Sequence, residues 1–299
     1  MSVLSIGRVA SPDYYLTRSS VADYYAEHDR AEGRWAGGGA AALGLAGAVA
    51  PADLHALFAA LDPVTGEPLT FRHDRANAGL DLTFSAPKGV SLLAELGPPR
   101  ARDAVAEAHE LAVDDALGYL ERRAVFARRG KAGARLTATA GLVAAAFTHH
   151  ASRALDPQLH THVVAVNLVR AAEDGRWTAL SSRPLYRHAK TAGTLYQASL
   201  RARLTQALTE WGPAHNGMAE PDGIAAEVLA AFCRSAAPKS APSSTFDRWW
   251  GPGRRARRRP HHPARQARFG LGIGEARLVA GDPGCAGAGL LAPQDPRPG

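Results

Sequence analysis

Residues 147–167, FTHHASRALDPQLHTHVVAVN, set four histidines and Asp156 into a stretch that otherwise reads as two apolar strands. The run after Pro157, HTHVVAVNLV, is β-branched and apolar enough for a buried or half-buried strand, and GLVAAAFTHH before it reads the same way. The polar ASRALDPQL joins them as a hairpin or as neighbouring strands. Strand side chains alternate, so His160 and His162 project from one face while Thr161 turns away. Antiparallel pairing brings His149 or His150 alongside them. Three imidazoles converging from two strands make a facial metal site with positions open to water or substrate. A single strand histidine is more often a hydrogen-bonded polar side chain, but an HxH pair with a third histidine on the adjoining strand favours a metal.

The 299 residues, 46% hydrophobic and 21% charged, can bury a sizeable core in one or two domains. Ala-rich stretches are interrupted by Gly and charge before they reach a membrane-spanning length. MSVLSIGRVASPDYY lacks the long apolar segment of a secretory signal, and the expectation is a cytoplasmic protein without membrane contact. Cys233 and Cys285 are too few and too distant for a disulfide framework or a thiolate metal site. The net charge of +7 points to nucleic acid only at first sight, because it is unevenly placed. Residues 234–299 hold twelve Lys and Arg against four Asp and Glu, whereas residues 1–233 hold twenty-three against twenty-four. That tail also carries nine of the twenty prolines and the run GPGRRARRRPHHPARQAR. It has no helical or strand period and reads as disordered, with arginines able to hold DNA without sequence preference. The boundary falls between a folded unit, 1–233, and this Pro/Arg/Gly-rich tail.

The folded unit reads as α+β. SVLSIGRV near the N-terminus and DLTFSA at 81–86 are strands, and PADLHALFAAL opens a helix at Pro51 with an acid in its first turn. ARDAVAEAHELAVDDALGYLERRA and RPLYRHAKTAGTLYQASLRARLTQAL are long helices, and WAGGGAAALGL is a loop. There is no internal repeat and no phosphate-binding G-x-x-x-x-G-K-[ST]. SPDYYLTRSSVADYYAEHD contributes two tyrosine pairs, Tyr14 with Tyr15 and Tyr24 with Tyr25. Aromatics at such spacing are usually core residues. Beside a metal they gain a second meaning, because a phenol of pKa about 10 becomes an effective nucleophile when a base or strong electrophile stands next to it. A metal-bound phosphodiester is such an electrophile, and attack on it yields a phosphotyrosine ester.

YY…YY…WAGGGAAALGL, DLTFSAPKGVSLL and H-x-x-S-R-x-x-DPQLHTH-x-x-x-x-N, in that order, resemble the relaxase domain of the MobF group, the TrwC/TraI type of conjugative relaxase among the HUH endonucleases. The resemblance covers about residues 3–230 and includes EWGPAHNGMAEPDGI. It implies an antiparallel sheet with flanking helices, of ferredoxin or palm type. It also implies site- and strand-specific nicking and rejoining of single-stranded DNA at a transfer origin through a 5′-phosphotyrosine, alongside relaxosome and coupling proteins. By motif position it assigns His149, His160 and His162 to a divalent ion such as Mg or Mn. Tyr14 becomes the nicking nucleophile, Tyr24 the second-cleavage residue, and Tyr15 and Tyr25 accessory tyrosines. Asp81 becomes the proton acceptor or the partner that orients a ligand histidine. Lys88 and Arg153 are expected on DNA phosphates, and Trp35 either in packing or stacked on a base.

The sequence also departs from the pattern. Thr161 stands where HUH proteins in general carry a bulky hydrophobe, although Thr is usual in this group, and Gly89 stands where the family mostly has Ser. The tyrosine pairs lie ten residues apart, slightly wider than usual. Regular helices are expected past Cys233, and the composition there suggests instead a truncated or frameshifted continuation. The alternative function is therefore an inactive relaxase remnant that at most binds DNA. A three-histidine metalloenzyme of cupin type leaves the tyrosine pairs and DLTFSAPK unexplained.

Overall fold

A computed structural model of the chain describes residues 4–16, 33–70, 77–152, 156–207, 211–214, 218–224 and 226–232. Tyr24, Tyr25, Arg153 and the tail 234–299 lie outside the described residues.

Five strands form the main sheet: β1 (Leu4–Val9), β2 (Arg34–Ala36), β3 (Gly79–Ser85), β6 (Ala144–Ala151) and β7 (Pro157–Val166). They lie in the order β1-β3-β7-β6-β2, every pairing antiparallel. Two small ribbons, β4 (Ala127–Arg129) with β5 (Arg135–Thr137) and β8 (Val169–Arg170) with β9 (Trp177–Thr178), complete the strands. The helices are α1 (Asp13–Leu16), α2 (Gly38–Ala41), α3 (Pro51–Phe58), α4 (Lys88–Leu96), α5 (Pro99–Ala124), α6 (Ser182–Ala207) and α7 (Ala226–Ala231). The strands and long helices read from the sequence stand where expected to within a few residues, and the α+β sheet with flanking helices is the fold. Among the described residues no helix is long and apolar enough to cross a membrane.

Alternation along the strands divides the sheet into two unlike faces. Leu80, Leu82 and Phe84 of β3, Ala144 and Ala146 of β6, and Val163 and Ala165 of β7 turn to one side and bury against α4, α5 and α6. Small alanines in the strands let helices of 26 residues, α5 and α6, lie close on the sheet. Each fully buried Leu, Val or Phe there contributes about 1.5–3 kcal/mol. On the opposite face Val143, Ala145, Phe147, Val164 and Val166 form a second apolar layer with Leu54, Leu57 and Phe58 of α3. That layer covers only one end of the sheet. At the other end the same face carries Asp81, Thr83, His149, His160 and His162.

Gly37–Gly39, which cap and open α2 where the sequence reading expected a loop, bring β2 against β6. A Cβ at Gly37 would stand 2.4 Å from the Leu142 carbonyl oxygen, and one at Gly38 would stand 2.5 Å from that of Ala140, so only glycine allows the approach. The Glu121 carboxylate fixes it by accepting the Gly38 and Leu142 amides on one oxygen, each at 2.8 Å.

Candidate active site

The pairing of β6, β7 and β3 builds the histidine cluster. His149 stands opposite His160, and His162 lies on the same face two residues along, opposite Phe147 on one side and Thr83 on the other. The ring centres are 5.0 Å apart for His160–His162 and 5.4 Å for the two pairs involving His149. His150 turns to the other face, where its Nδ1 meets Glu95 Oε1 at 2.7 Å. The structure therefore joins His149, and not its neighbour, to the HxH pair.

Each imidazole of the HxH pair is held by its Nδ1. His160 donates to the Gln158 carbonyl at 2.8 Å, and His162 donates to the two Asp81 oxygens at 3.0 and 2.8 Å. Carbonyl and carboxylate oxygens only accept, so each Nδ1 carries a proton, which in a neutral ring leaves the Nε2 lone pair for a metal. Burial, opposed by the bond to Gln158 and reinforced by the other two imidazoles, lowers the His160 pKa to about 4. It is thus neutral, the form that binds a metal, throughout the neutral range. The Nε2 of His149 is itself buried.

Among the described residues no three His, Cys, Asp or Glu side chains have already closed into a cage. The donor set nevertheless fits an ion. Rings sharing one at about 2.1 Å per nitrogen stand roughly 4.5–5.2 Å apart, close to the 5.0–5.4 Å between these ring centres.

Asp81 links this cluster to a tyrosine. Besides His162, its carboxylate accepts the Tyr15 hydroxyl at 3.0 Å and the Thr83 hydroxyl at 3.2 Å. The Tyr15 ring lies nearly parallel to Phe147, centres 5.8 Å apart, and 5.4 Å from the ring of His162. Burial, then the charge and hydrogen bond of Asp81, push the Tyr15 phenol far above its ordinary value. Tyr15 therefore keeps its proton and serves as a fixed donor. Its neighbour Tyr14 is 60% exposed, edge-on to Tyr15 with ring centres 5.0 Å apart. Both sit on the single turn α1, which Asp13 ties to Ser11 and, at 3.4 Å, to His55 of α3.

The remaining expected residues are placed differently. The Lys88 ammonium donates to the Pro157 carbonyl at 2.7 Å, at the start of β7. Trp35, 8% exposed, packs in the apolar layer with Phe147 and Val164, so packing is the role its surroundings serve. Where the family mostly has Ser after the lysine, Gly89 admits Glu220: its amide donates to Oε2 at 2.6 Å, and that of Lys88 donates to Oε1 at 3.2 Å. A Cβ at Gly89 would fall 2.7 Å from Glu220 Oε2 and 2.8 Å from Pro221 Cδ. The sequence reading missed Glu220 because α4 itself went unread. It missed Thr83 although that residue lies two positions after Asp81 and must share its face.

The TrwC relaxase family pattern matches residues 9–258. That span passes the boundary at 233 drawn from composition. The multifunctional conjugation protein TraI of Escherichia coli is 36% identical over 232 residues, 73% of this chain but 12% of the relative, so the chain spans a small part of that protein's length. The conjugative relaxase TrwC in complex with oriT DNA, in a metal-free structure, superposes with a TM-score of 0.64 at 32% identity, over 77% of this chain and 79% of the solved chain. Its metal-bound complex gives 0.65 at 31%, over the same shares. With the sheet, the histidine cluster and the tyrosine turn in place, this breadth of match leaves one conclusion: the chain belongs to the TrwC relaxase family.

Proposed function

We propose that the chain nicks and rejoins one strand of DNA at a transfer origin during conjugation, by divalent-metal-dependent transesterification. The observation that carries this reading is Asp81, whose carboxylate joins the His162 imidazole and the Tyr15 phenol on the open face of the sheet. His149, His160 and His162 would hold the ion, which when bound neutralises charge on the scissile phosphate. The Tyr14 hydroxyl, exposed one residue from the fixed Tyr15, attacks phosphorus. The bond to the 3′ oxygen breaks, the phenolic proton leaves toward a base for which Asp81 is the candidate, and the 3′ oxygen takes a proton from water to leave as a hydroxyl. The products are a 5′-phosphotyrosine and a free 3′ end, and reversal rejoins the strand.

Tyr24, with Tyr25 as accessory, would perform the second cleavage, and Lys88 and Arg153 would contact DNA phosphates. Residues 1–233 form the relaxase unit in this reading and 234–299 a separate tail, acting in the cytoplasm with relaxosome and coupling proteins. The similarity to a relaxase solved with oriT DNA, and with bound metal, supports the substrate and the cofactor. Cleavage tests it: incubate the full chain with single-stranded oligonucleotides from its own transfer-origin region, with Mn or Mg and with EDTA. Metal-dependent cutting at one position is expected. DNA binding without cutting, by folded and metal-loaded protein, would leave the inactive remnant as the correct reading.

A further inference from the structure

A second set of polar side chains lies directly behind the histidine cluster, on the helix-covered face. His109 of α5 is 1% exposed, Thr161 is 2% exposed and Tyr196 of α6 is fully buried. His109 Nδ1 meets the Tyr196 hydroxyl at 2.8 Å and its Nε2 meets Thr161 Oγ1 at 2.7 Å, while Thr161 Oγ1 lies 2.8 Å from Thr148 Oγ1. A buried phenol proton needs an acceptor, and His109 Nδ1 is the one in reach. The direction of the chain follows: Tyr196 donates to His109, His109 Nε2 donates to Thr161, and Thr161 donates to Thr148. Burial first, with smaller contributions from His150, His160 and Arg34, lowers the His109 pKa to about 3, so the ring stays neutral and can accept and donate at once.

The chain ends where the sheet most needs it. Thr161 lies between His160 and His162, and it pairs in register with Thr148, the residue before His149. Immediately beyond the His149–His160 pair the ladder of β6 and β7 slips, between His149 and Ala151. A slip of one residue in β7 would turn both histidines of the HxH to the wrong face. An apolar residue at 161 would pack equally well but would not bond across the strands or to α5.

We propose that His109, Thr161 and Tyr196 are positioning residues, which pin β6 and β7 in register so that His149, His160 and His162 converge on one ion. The inference rests on the metal site proposed above. It places the reason for threonine between the two histidines behind the sheet, and it makes α5 and α6 part of the site's framework.

Titration of the full, metal-stripped chain with Co²⁺ alone, followed by its d–d absorption band, tests this. Thr161→Val keeps the shape and removes the link, and should weaken Co²⁺ binding about tenfold and shift the band. Thr161→Ser should restore both. Tyr196→Phe removes one oxygen two side chains away from the cluster and should weaken binding several-fold, a change that local packing at the ligands would not produce. Melting temperatures are read in parallel, since a purely structural role lowers these and leaves Co²⁺ affinity and band intact. Wild-type affinity and spectrum in the folded variants would overturn the inference, as would failure of both Thr161→Val and Tyr196→Phe to fold. Wild-type protein that takes up no Co²⁺ would remove the metal-site reading itself, and this inference with it.

Discussion

Asp81 and His162 meet diagonally across adjacent strands, with the carboxylate 2.8 and 3.0 Å from the ring's Nδ1, and the same carboxylate holds Tyr15 at 3.0 Å. One acid thus sets the imidazole's tautomer and the place of the tyrosine turn. Asp81→Asn preserves size but can present an amide N–H to Nδ1, which moves the ring proton to Nε2. Metal affinity should fall about 10- to 100-fold, measured by titration of the metal-stripped protein. Unchanged affinity would separate Asp81 from the cluster.

The adjacent histidines should differ sharply. His149→Ala removes a ring from the cluster and should abolish tight metal binding. His150→Ala breaks the exposed pair with Glu95, and should leave binding within about twofold of wild type and change stability by about 0–1 kcal/mol. Metal content after gel filtration distinguishes the two variants.

Much of this site was legible because strand alternation is a strict rule. HTH after Pro157 fixed two imidazoles on one face, and the same rule, had it been applied to DLTFSA, would have put Thr83 beside Asp81. The choice between His149 and His150 depended on register, which turns on where the irregularity in β6 falls, and periodicity does not encode that. The same limit hid Glu220, brought to the N-terminus of α4 from more than a hundred residues away. It hid His109 too, which in an amphipathic helix reads as one more polar residue until α6 and β7 close over it. At the start of WAGGGAAALGL the short strand Arg34–Ala36, which begins one residue before it, escaped notice, because its pairing with β6 depends on the glycines meeting residues 140–142 and not on its own composition.

Acid should destabilise the fold before its carboxylates protonate. The His109 pKa is lowered, chiefly by burial, from 6.5 to about 3. Between those values the unfolded chain binds a proton that the folded chain refuses. Its contribution is complete above pH 6.5 and is lost as the pH falls toward 3, at about 1.4 kcal/mol per pH unit. Urea denaturation of the metal-free protein at several pH values should reveal this slope, and His109→Gln should reduce it by about that amount between pH 6 and 4. An equal slope in both proteins would place the titrating group elsewhere.

The most direct measurement is covalent capture of DNA, read as a shifted band on a denaturing gel and mapped by mass spectrometry of the nucleotide-linked peptide. With a divalent ion and single-stranded DNA from the transfer-origin region, the wild-type chain should form an adduct at Tyr14. Tyr14→Phe should form none, and Tyr15→Phe should form it more slowly, because the turn loses its bond to Asp81. An adduct that persists in Tyr14→Phe, or cleavage by folded protein with no covalent intermediate, would contradict the account.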